Sequence, residues 1–555
     1  MKWEKVNTDK KIVEDELINN VLLYNGCSKD VLKDLENVKI NLEFENSKVQ
    51  KFVDIVEDLK KSQELILVIS DYDSDGDNSG AIMYRFLKRE GLNVNIVCLD
   101  RLVGFGMFSG TIDRIKEKYG NVKCLVTTDN GSKSSSVIDY ARKELGSELK
   151  VIITDHHDKD MNIEEKADIF LNPHYDNTIT NEKICGAFTV FIIINQYYKI
   201  KGLSKENSLF LSEMLELASI ATYTDVMPVF KENRTALKFL VSRVRQNKIM
   251  NKGLKALISV IDLDYKNFTA TDIGFKIGPI LNASGRLTSS EVPTKLLIEE
   301  DYNVCLELAR ECVRTNKMRQ SMTKDLLRQV NISDNNNVNI IKYENAHEGL
   351  IGIIAGNVLE KTNAPSFAFT KVENGTYKGS GRSPKNYNLI KGASRIFEEH
   401  SEIVVAFGGH PGAIGLTLKD SEAVDLFEKY LNADFIENNK SLEEVSKKYI
   451  DFPTNLSLEE VFKKLETLEP YGEGLKEVVF RIVGDVSYPK IMAIRHMSFM
   501  LKNDLIRYGI KMNWFNHVEN LSTFSGRKEV FFNLSKNVFR GKVYFNGNVI
   551  EARKI

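Results

Sequence analysis

The sequence predicts an α/β protein: a parallel-sheet domain, a long helix, a second α/β unit and a small C-terminal β-barrel. Three observations carry this. Short β-branched runs alternate with helix-length connections from about residue 64. A polar, Asn-rich break, NISDNNN (331–337), separates that series from a second one. Residues 450–555 then turn into strands of alternating polarity, too few and too unevenly spaced for a sandwich.

Taken in order, residues 1–60 read as a lead-in of amphipathic helices. The runs ELILVIS (64–70), VNIVCL (94–99), KCLVTT (123–128), KVIIT (150–154) and ADIFL (167–171) are near-continuously apolar. Such strands, joined by helix-length segments, belong to a parallel sheet covered on both faces. Residues 186–260 read mainly as helices, and the first domain is set at 61–290. The connecting segment is set at 291–330, with a long helix expected from about 301 to 330 that carries Leu308, Cys312, Met318, Met322 and Leu326 on one apolar face, read as core packing. The second α/β unit, 331–435, carries VNIIKY, SFAFT, TYKGSGRS and IVVAFGGH. After a break rich in Asn, Lys and Glu, the segments VVFRIVGDV, SFMLKN, IRYGIKMNWFN, EVFFNLSKNVF and KVYFNG supply the barrel of 450–555.

Composition narrows the function. At roughly 150 residues per domain, a chain of 555 residues has room for three or four domains. Hydrophobic residues at 42% and charged residues at 28% exclude wholesale disorder. Lys+Arg of 76 against Asp+Glu of 77 excludes a uniformly basic nucleic-acid coat but leaves room for a local basic groove. The six cysteines show no C-x-x-C pairing and read as reduced, buried thiols, not as a disulfide framework or a zinc site. The N-terminal MKWEKVNTDKKIVEDE has no apolar core, and the longest apolar stretch, near 188–194, is far short of the roughly 20 residues of a membrane helix. A cytoplasmic protein without membrane contact is expected.

Three of the expected strands end in acidic or imidazole groups: Asp71-Tyr72-Asp73-Ser74-Asp75-Gly76, Thr128-Asp129-Asn130-Gly131 and Thr154-Asp155-His156-His157. In an open parallel sheet the ligand crevice lies at the carboxyl ends of the strands, so these groups should converge on one rim. Asp225, in ATYTDVMP after an apolar helical run, is placed to close the site from above. Carboxylates packed this densely need cations, and oxygen-rich ligands with one or two imidazoles suit two divalent ions, Mn²⁺ or Mg²⁺. Taken singly, each acid is equally well a helix cap or turn former.

Asp73-x-Asp75-Gly76, Asp129-Asn130-Gly131 and Asp155-His156-His157, in that order, resemble the DHH phosphoesterase superfamily. LNASGRL (281–287), HEGLIGIIAG (347–356), KGSGRS (378–383), FGGHPGAIG (407–415) and YGEG (471–474) resemble its RecJ branch of single-strand-specific exonucleases, from about residue 64 to the C-terminus. The resemblance implies DHH, DHHA1 and OB-fold domains and metal ligation by Asp73, Asp75, Asp129, His156 and Asp225, with Asp129 bridging. It implies catalytic support from Asp71, Asp155 and His157, or ligation by them in some metal states. Arg286, Ser380 and Arg382 would form a pocket for a terminal phosphate, with Arg101, Phe105, Asn282, Gly408, Gly409 and His410 as further substrate contacts. The activity implied is 5′→3′ hydrolysis of single-stranded DNA to 5′-mononucleotides, in DNA repair or recombination. Arg495, Lys502, Arg507, Lys511, Trp514, Phe515, Arg540 and Lys542 would give the barrel its basic and stacking surface.

Two departures stand out. The segment Asp100–Gly106 is one residue shorter than the RecJ pattern and has Phe105 where that pattern has Tyr; Thr224 replaces Ala before Asp225, placing a hydroxyl near the metal shell. Two other readings compete: a DHH phosphodiesterase for short oligonucleotides or cyclic dinucleotides, and a non-catalytic DHH scaffold. The C-terminal barrel disfavours the first and the full acid set disfavours the second. The multi-lobed layout suits a monomer.

Overall fold

The computed structural model describes residues 2–36, 38–101, 106–332, 337–438, 446–503, 509–521, 523–539 and 542–555. Phe105, Arg507 and Arg540 lie outside them.

Strands Ile66–Ser70, Val94–Cys98, Cys124–Thr128, Lys150–Thr154 and Ile169–Leu171 form one all-parallel sheet. Ile66–Ser70 pairs with Val94–Cys98 on one side and Cys124–Thr128 on the other, so the strand order reverses there. That reversal opens a crevice beyond the carboxyl ends of Ile66–Ser70 and Cys124–Thr128, where the acid motifs follow. The strands are buried on both faces because separate apolar clusters cover each side.

Helix Tyr302–Arg328 spans about 40 Å at 1.5 Å per residue and links the two lobes. The short helix Glu291–Ile298 precedes the long helix expected from about 301 to 330, which Asp301 caps. Its buried stripe is Cys305, Ala309, Cys312, Asn316 and Thr323, and Met318 faces solvent. The stripe turns polar where the helix leaves the first core and crosses the cleft.

The second sheet runs Val404–His410, Ala413–Leu418, Tyr377–Arg382, Ser366–Lys371, Asn339–Tyr343, with only the last pair parallel. Ala413–Leu418 was not anticipated as a strand; its two glycine-rich neighbours hid a hairpin. Strands Phe480–Met492, His496–Lys502, Ile510–Trp514, Lys542–Lys554 and Gly526–Phe539 close into a five-stranded barrel through the pairing of the first with the last.

The lead-in departs from the all-helical expectation. Trp3–Lys5 is a strand, paired in parallel with Lys447–Asp451 at the barrel's edge. Trp3 stacks on Phe531 with ring centroids 4.1 Å apart, and its indole N–H donates to Glu551 at 2.8 Å. Three residues carry no periodicity to read, so this pairing is visible only in the fold. Helix Asn46–Ser62 joins the core of the first sheet, whereas Glu16–Tyr24 packs with the barrel.

Candidate metal centre and phosphate pocket

Strand Ile66–Ser70 delivers Asp71 and Asp73 to the crevice. Asp73 caps helix Ser74–Arg89: its Oδ1 accepts from the backbone N–H groups of Asp75 (2.9 Å) and Gly76 (3.2 Å), leaving Oδ2 for a cation. Asp75, on the first turn, accepts from the backbone of Gly186 and Ala187 at 2.7 Å each. Helix Gly186–Ile200 thus aims its N-terminus at a buried carboxylate. A Cβ on Gly186 would sit 2.8 Å from Asp129 Oδ1, so only glycine lets the helix come this close.

Asp129 follows strand Cys124–Thr128 in the left-handed region, at φ 61°. That conformation turns its side chain toward His156, whose Nε2 lies 3.2 Å from Asp129 Oδ1, 3.5 Å from Asp75 and 3.6 Å from Asp225. Asp225 is the C-cap of helix Ser208–Thr224. Three groups offer ligand atoms within 4.8 Å of one another: Asp129, His156 and His157; Asp75, His156 and Asp225; Asp71, Asp73 and Asp129. Asp129 belongs to two of them. Asp71 and His157, expected as supporting groups, sit among the donors themselves.

Asp155 does not. Its Oδ1 accepts from the backbone N–H of His156 (2.7 Å) and His157 (3.2 Å) and contacts His157 Nδ1 at 2.8 Å, while Oδ2 accepts from Ser132 N–H at 2.9 Å. It orients both imidazoles. Asn130 ties strand ends together by donating to Ile69 and Thr128 carbonyls, 2.9 Å each. The Thr224 hydroxyl donates to the Ala221 carbonyl (3.2 Å) and pairs with the Ser74 hydroxyl (3.1 Å), so it braces helix against loop.

The electrostatics fit cations. Burial, then neighbouring carboxylates, drives Asp71, Asp129 and Asp225 well above the ordinary carboxylate range and Asp75 up to about 6. Burial and then His157 push His156 down to about 3, so it is neutral at pH 7. With the Ile184 carbonyl bonded to its ring, the Nε2 lone pair faces carboxylate oxygens, acceptor against acceptors. His156 Nε2, Asp71 Oδ1, Asp129 Oδ1 and Asp225 Oδ2 are buried with no hydrogen-bond partner. Divalent cations satisfy all four at once. For His157, burial works downward, but the bond to Asp155 and its charge outweigh it and raise the imidazole to about 9.

Beside the acids lies an anion pocket. Arg101 Nε donates to the Gly285 carbonyl at 3.2 Å, and its guanidinium lies 4.2 Å over the Tyr72 ring. Asn282 accepts from Ser74 N–H at 2.8 Å, which ties helix Gly278–Leu287 to the acid loop. Gly285 seats its helix on the acid loop and Gly349 brings the second lobe against the first: a Cβ on either would meet a carbonyl oxygen, of Tyr72 and Arg286 respectively, at 1.9 Å. Arg382 donates to Ser380 Oγ (3.0 Å) and the Gly381 carbonyl (2.8 Å). Burial, then Arg101, lowers Arg286 to about 10, with Arg319 and Arg382 adding to the effect. Arg319, on the connecting helix, is a cation that sequence reading missed; its place in a helical charge pattern gave no signal.

Gly408, Gly409 and His410 lie on the exposed edge strand of the second sheet. The register sets Gly408 in line with Ser380 through Gly415, and His410 with Arg382 through Ala413. Two strand spacings, about 9–10 Å, separate them. His410 Nδ1 accepts from Gly412 N–H at 3.3 Å, closing the turn between the strands. On the barrel, Trp514 is a core residue stacked on His517, contrary to its expected part in a stacking surface; its position faces the barrel interior. Phe515 is exposed.

Fold and site define a class: a two-lobed DHH protein, with the acids, Arg101 and Arg286 on the first lobe and Arg382 on the second. The DHH family N-terminal domain model matches residues 65–222, the DHHA1 domain 335–437 and the RecJ OB domain 453–551. With all three in order, the chain has a RecJ-like domain set. A protein named single-stranded-DNA-specific exonuclease RecJ from Escherichia coli is 27% identical over 82% of this chain and 81% of its own length. The Bacillus subtilis protein of that name is 30% identical over 69% of this chain and 47% of its own. The crystal structure of RecJ with Mn²⁺ from Thermus thermophilus shares the fold, with a TM-score of 0.79 at 23% identity over 97% of this chain and 76% of that one.

Proposed function

We propose that this chain is a divalent-metal-dependent exonuclease that degrades single-stranded DNA 5′→3′, releasing 5′-mononucleotides. The observation that carries the reading is the set of orphaned, buried ligand atoms at the sheet's switch point, beside an arginine pocket. Relatives named single-stranded-DNA-specific exonucleases, and Thermus thermophilus RecJ structures holding Mn²⁺ and Mg²⁺, support it.

Asp71, Asp73, Asp75, Asp129, His156, His157 and Asp225 would hold two Mn²⁺ or Mg²⁺ ions; Asp129 belongs to two of the donor groups. Such ions, when bound, activate water and screen the charge that develops on phosphate. Asp155 keeps the imidazoles oriented. Arg286 and Arg382 would grip a terminal phosphate through their guanidinium forks, with the Ser380 hydroxyl as a single donor and Arg101 adding charge beside it. Pinning that phosphate one nucleotide beyond the acids makes cleavage exonucleolytic and sets its polarity. The barrel, with Arg495, Lys502, Lys511 and Phe515 on its exterior, holds the strand downstream. Among the described residues no helix is long and apolar enough to cross a membrane. We place the protein in the cytoplasm, as a monomer.

The test uses a 5′-labelled, 5′-phosphorylated single strand with Mn²⁺. The label should appear as mononucleotide from the first turnover, and Asp129→Ala should reduce the rate roughly 10³-fold or more. Release from the 3′ end first, a preference for dinucleotides, or an active Asp129→Ala would overturn the reading.

A further inference from the structure

A cavity of about 410 Å³ opens beside the acid cluster, within the roughly 300–1,000 Å³ range of small-molecule sites. Its walls include Val226, Phe275, Pro279, Asn282, Arg286 and Arg319. One side is apolar and exposed: Phe275 is 78% accessible and Val226 63%. Val226 directly follows Asp225 and sits in the left-handed region at φ 58°, a strained place for a β-branched residue. Phe275 lies on the π-helical turn Ile273–Ile277, whose two isoleucines are fully buried. Gly274 lets that turn lie flat on Tyr223, since a Cβ there would sit 2.6 Å from the ring. The turn is thereby fixed with its aromatic ring pointing outward.

The other side is cationic. Arg319 is half-buried; its Nε donates to Asn316 Oδ1 at 3.0 Å, and among the described residues no carboxylate pairs with its guanidinium. Arg286 is buried among like charges, Arg101, Arg319 and Arg382, with Asp73 as the carboxylate that acts on it. Two such guanidinium groups side by side repel unless an anion lies between them. An aromatic platform facing paired guanidinium groups is the chemistry that holds a nucleoside monophosphate.

We propose that this cavity binds the 5′-terminal nucleotide of the strand, with Phe275 as the platform for its base and Arg319 as a further ligand of its phosphate. The proposal rests on the exonuclease reading above and assigns the residues that select the terminal nucleotide. The occupant is a nucleoside 5′-monophosphate unit, first as the strand's end and then as the released product.

The experiment compares KM on three single strands: one with an ordinary 5′-phosphorylated end, one with a 5′-hydroxyl, and one with a 5′-phosphorylated abasic end. Phe275→Ala should raise KM about 10-fold on the ordinary end and leave it unchanged on the abasic end, because stacking is already absent there. Phe275→Tyr should restore the wild-type value. Arg319→Gln should raise KM about 10-fold on the phosphorylated ends and leave the 5′-hydroxyl strand unaffected. A merely structural role for either residue predicts equal loss on all three strands and would overturn the proposal. So would wild-type KM values in both variants. In either event a wild-type enzyme that still hydrolyses the strand from its 5′ end keeps the exonuclease reading intact. A wild-type enzyme inert on all three would remove that reading itself.

Discussion

Gly186 shows how a residue with no chemistry of its own governs the site. Its N–H donates to Asp75 at 2.7 Å, and its missing side chain gives Asp129 room. A methyl group at this position must displace the Asp129 carboxylate, and misplacement by about 1 Å near reacting atoms costs about 10²-fold in rate. Gly186→Ala should therefore lower kcat by that factor, with the near-ultraviolet circular dichroism of the native core retained. Equal kcat in the variant would show that Asp129 is not held at the reacting centre. ICGAFT in the sequence marks only a glycine before an apolar helix. Its contact with an acid 57 positions earlier exists only once helix and strand are packed.

Among the elements, helix Asn46–Ser62 is fastened to the first sheet by Asp176. Oδ2 of this carboxylate accepts from Glu45 N–H at 3.2 Å and Lys48 Nζ at 3.3 Å, and Oδ1 accepts from Thr178 N–H at 3.0 Å. Burial works upward on Asp176, but the Thr178 bonds and other donors outweigh it and hold the carboxyl below its ordinary 3.8. A depressed folded value means the stabilisation is complete above the unfolded value and is lost as pH falls through the folded one. Asp176→Asn should cost about 1.5–3 kcal/mol in urea titrations at pH 7. The gap between wild type and variant should close below pH 4; a constant gap would mean that charge plays no part. The connecting helix teaches a related lesson. Its caps and length follow from Asp301 and a 27-residue run without proline, whereas the face it buries depends on which lobe it leans on.

At the scale of the molecule, the barrel and the first domain share one apolar core, and Arg234 locks them together. Only 1% exposed, it donates to the carbonyls of Leu35 (3.0 Å), Leu468 (3.0 Å), Glu469 (2.7 Å) and Pro470 (3.2 Å). Arg234→Met strips the donor from four carbonyls and should cost roughly 3–5 kcal/mol. Limited proteolysis of the variant should cut first near residue 470, between domain and barrel; cleavage spread evenly over the chain would count against a lock at this point. Metal removal acts on the same scale. A chelator withdraws ligands that bind only the folded state, so adding Mn²⁺ at 100 times its Kd should restore about 2.7 kcal/mol. An unchanged Tm with and without Mn²⁺ would argue that the acids do not hold cations.

Local pattern was enough to place the parallel strands and the three acid motifs, because a buried strand must be apolar along its length and an acid at its end must lie on the sheet's rim. The resemblance of NASGR and GSGRS to RecJ motifs, not local pattern, pointed to Arg286 and Arg382. Local pattern could not find Trp3–Lys5 pairing at the barrel, Arg319 joining the other arginines, or Phe275 standing clear of its buried neighbours. These are relations between segments far apart in the chain, and no local periodicity encodes them. The order of residues thus names the groups that carry the chemistry. Which of them share a cation, a phosphate or a base is settled by packing, since such sharing requires side chains to meet in space.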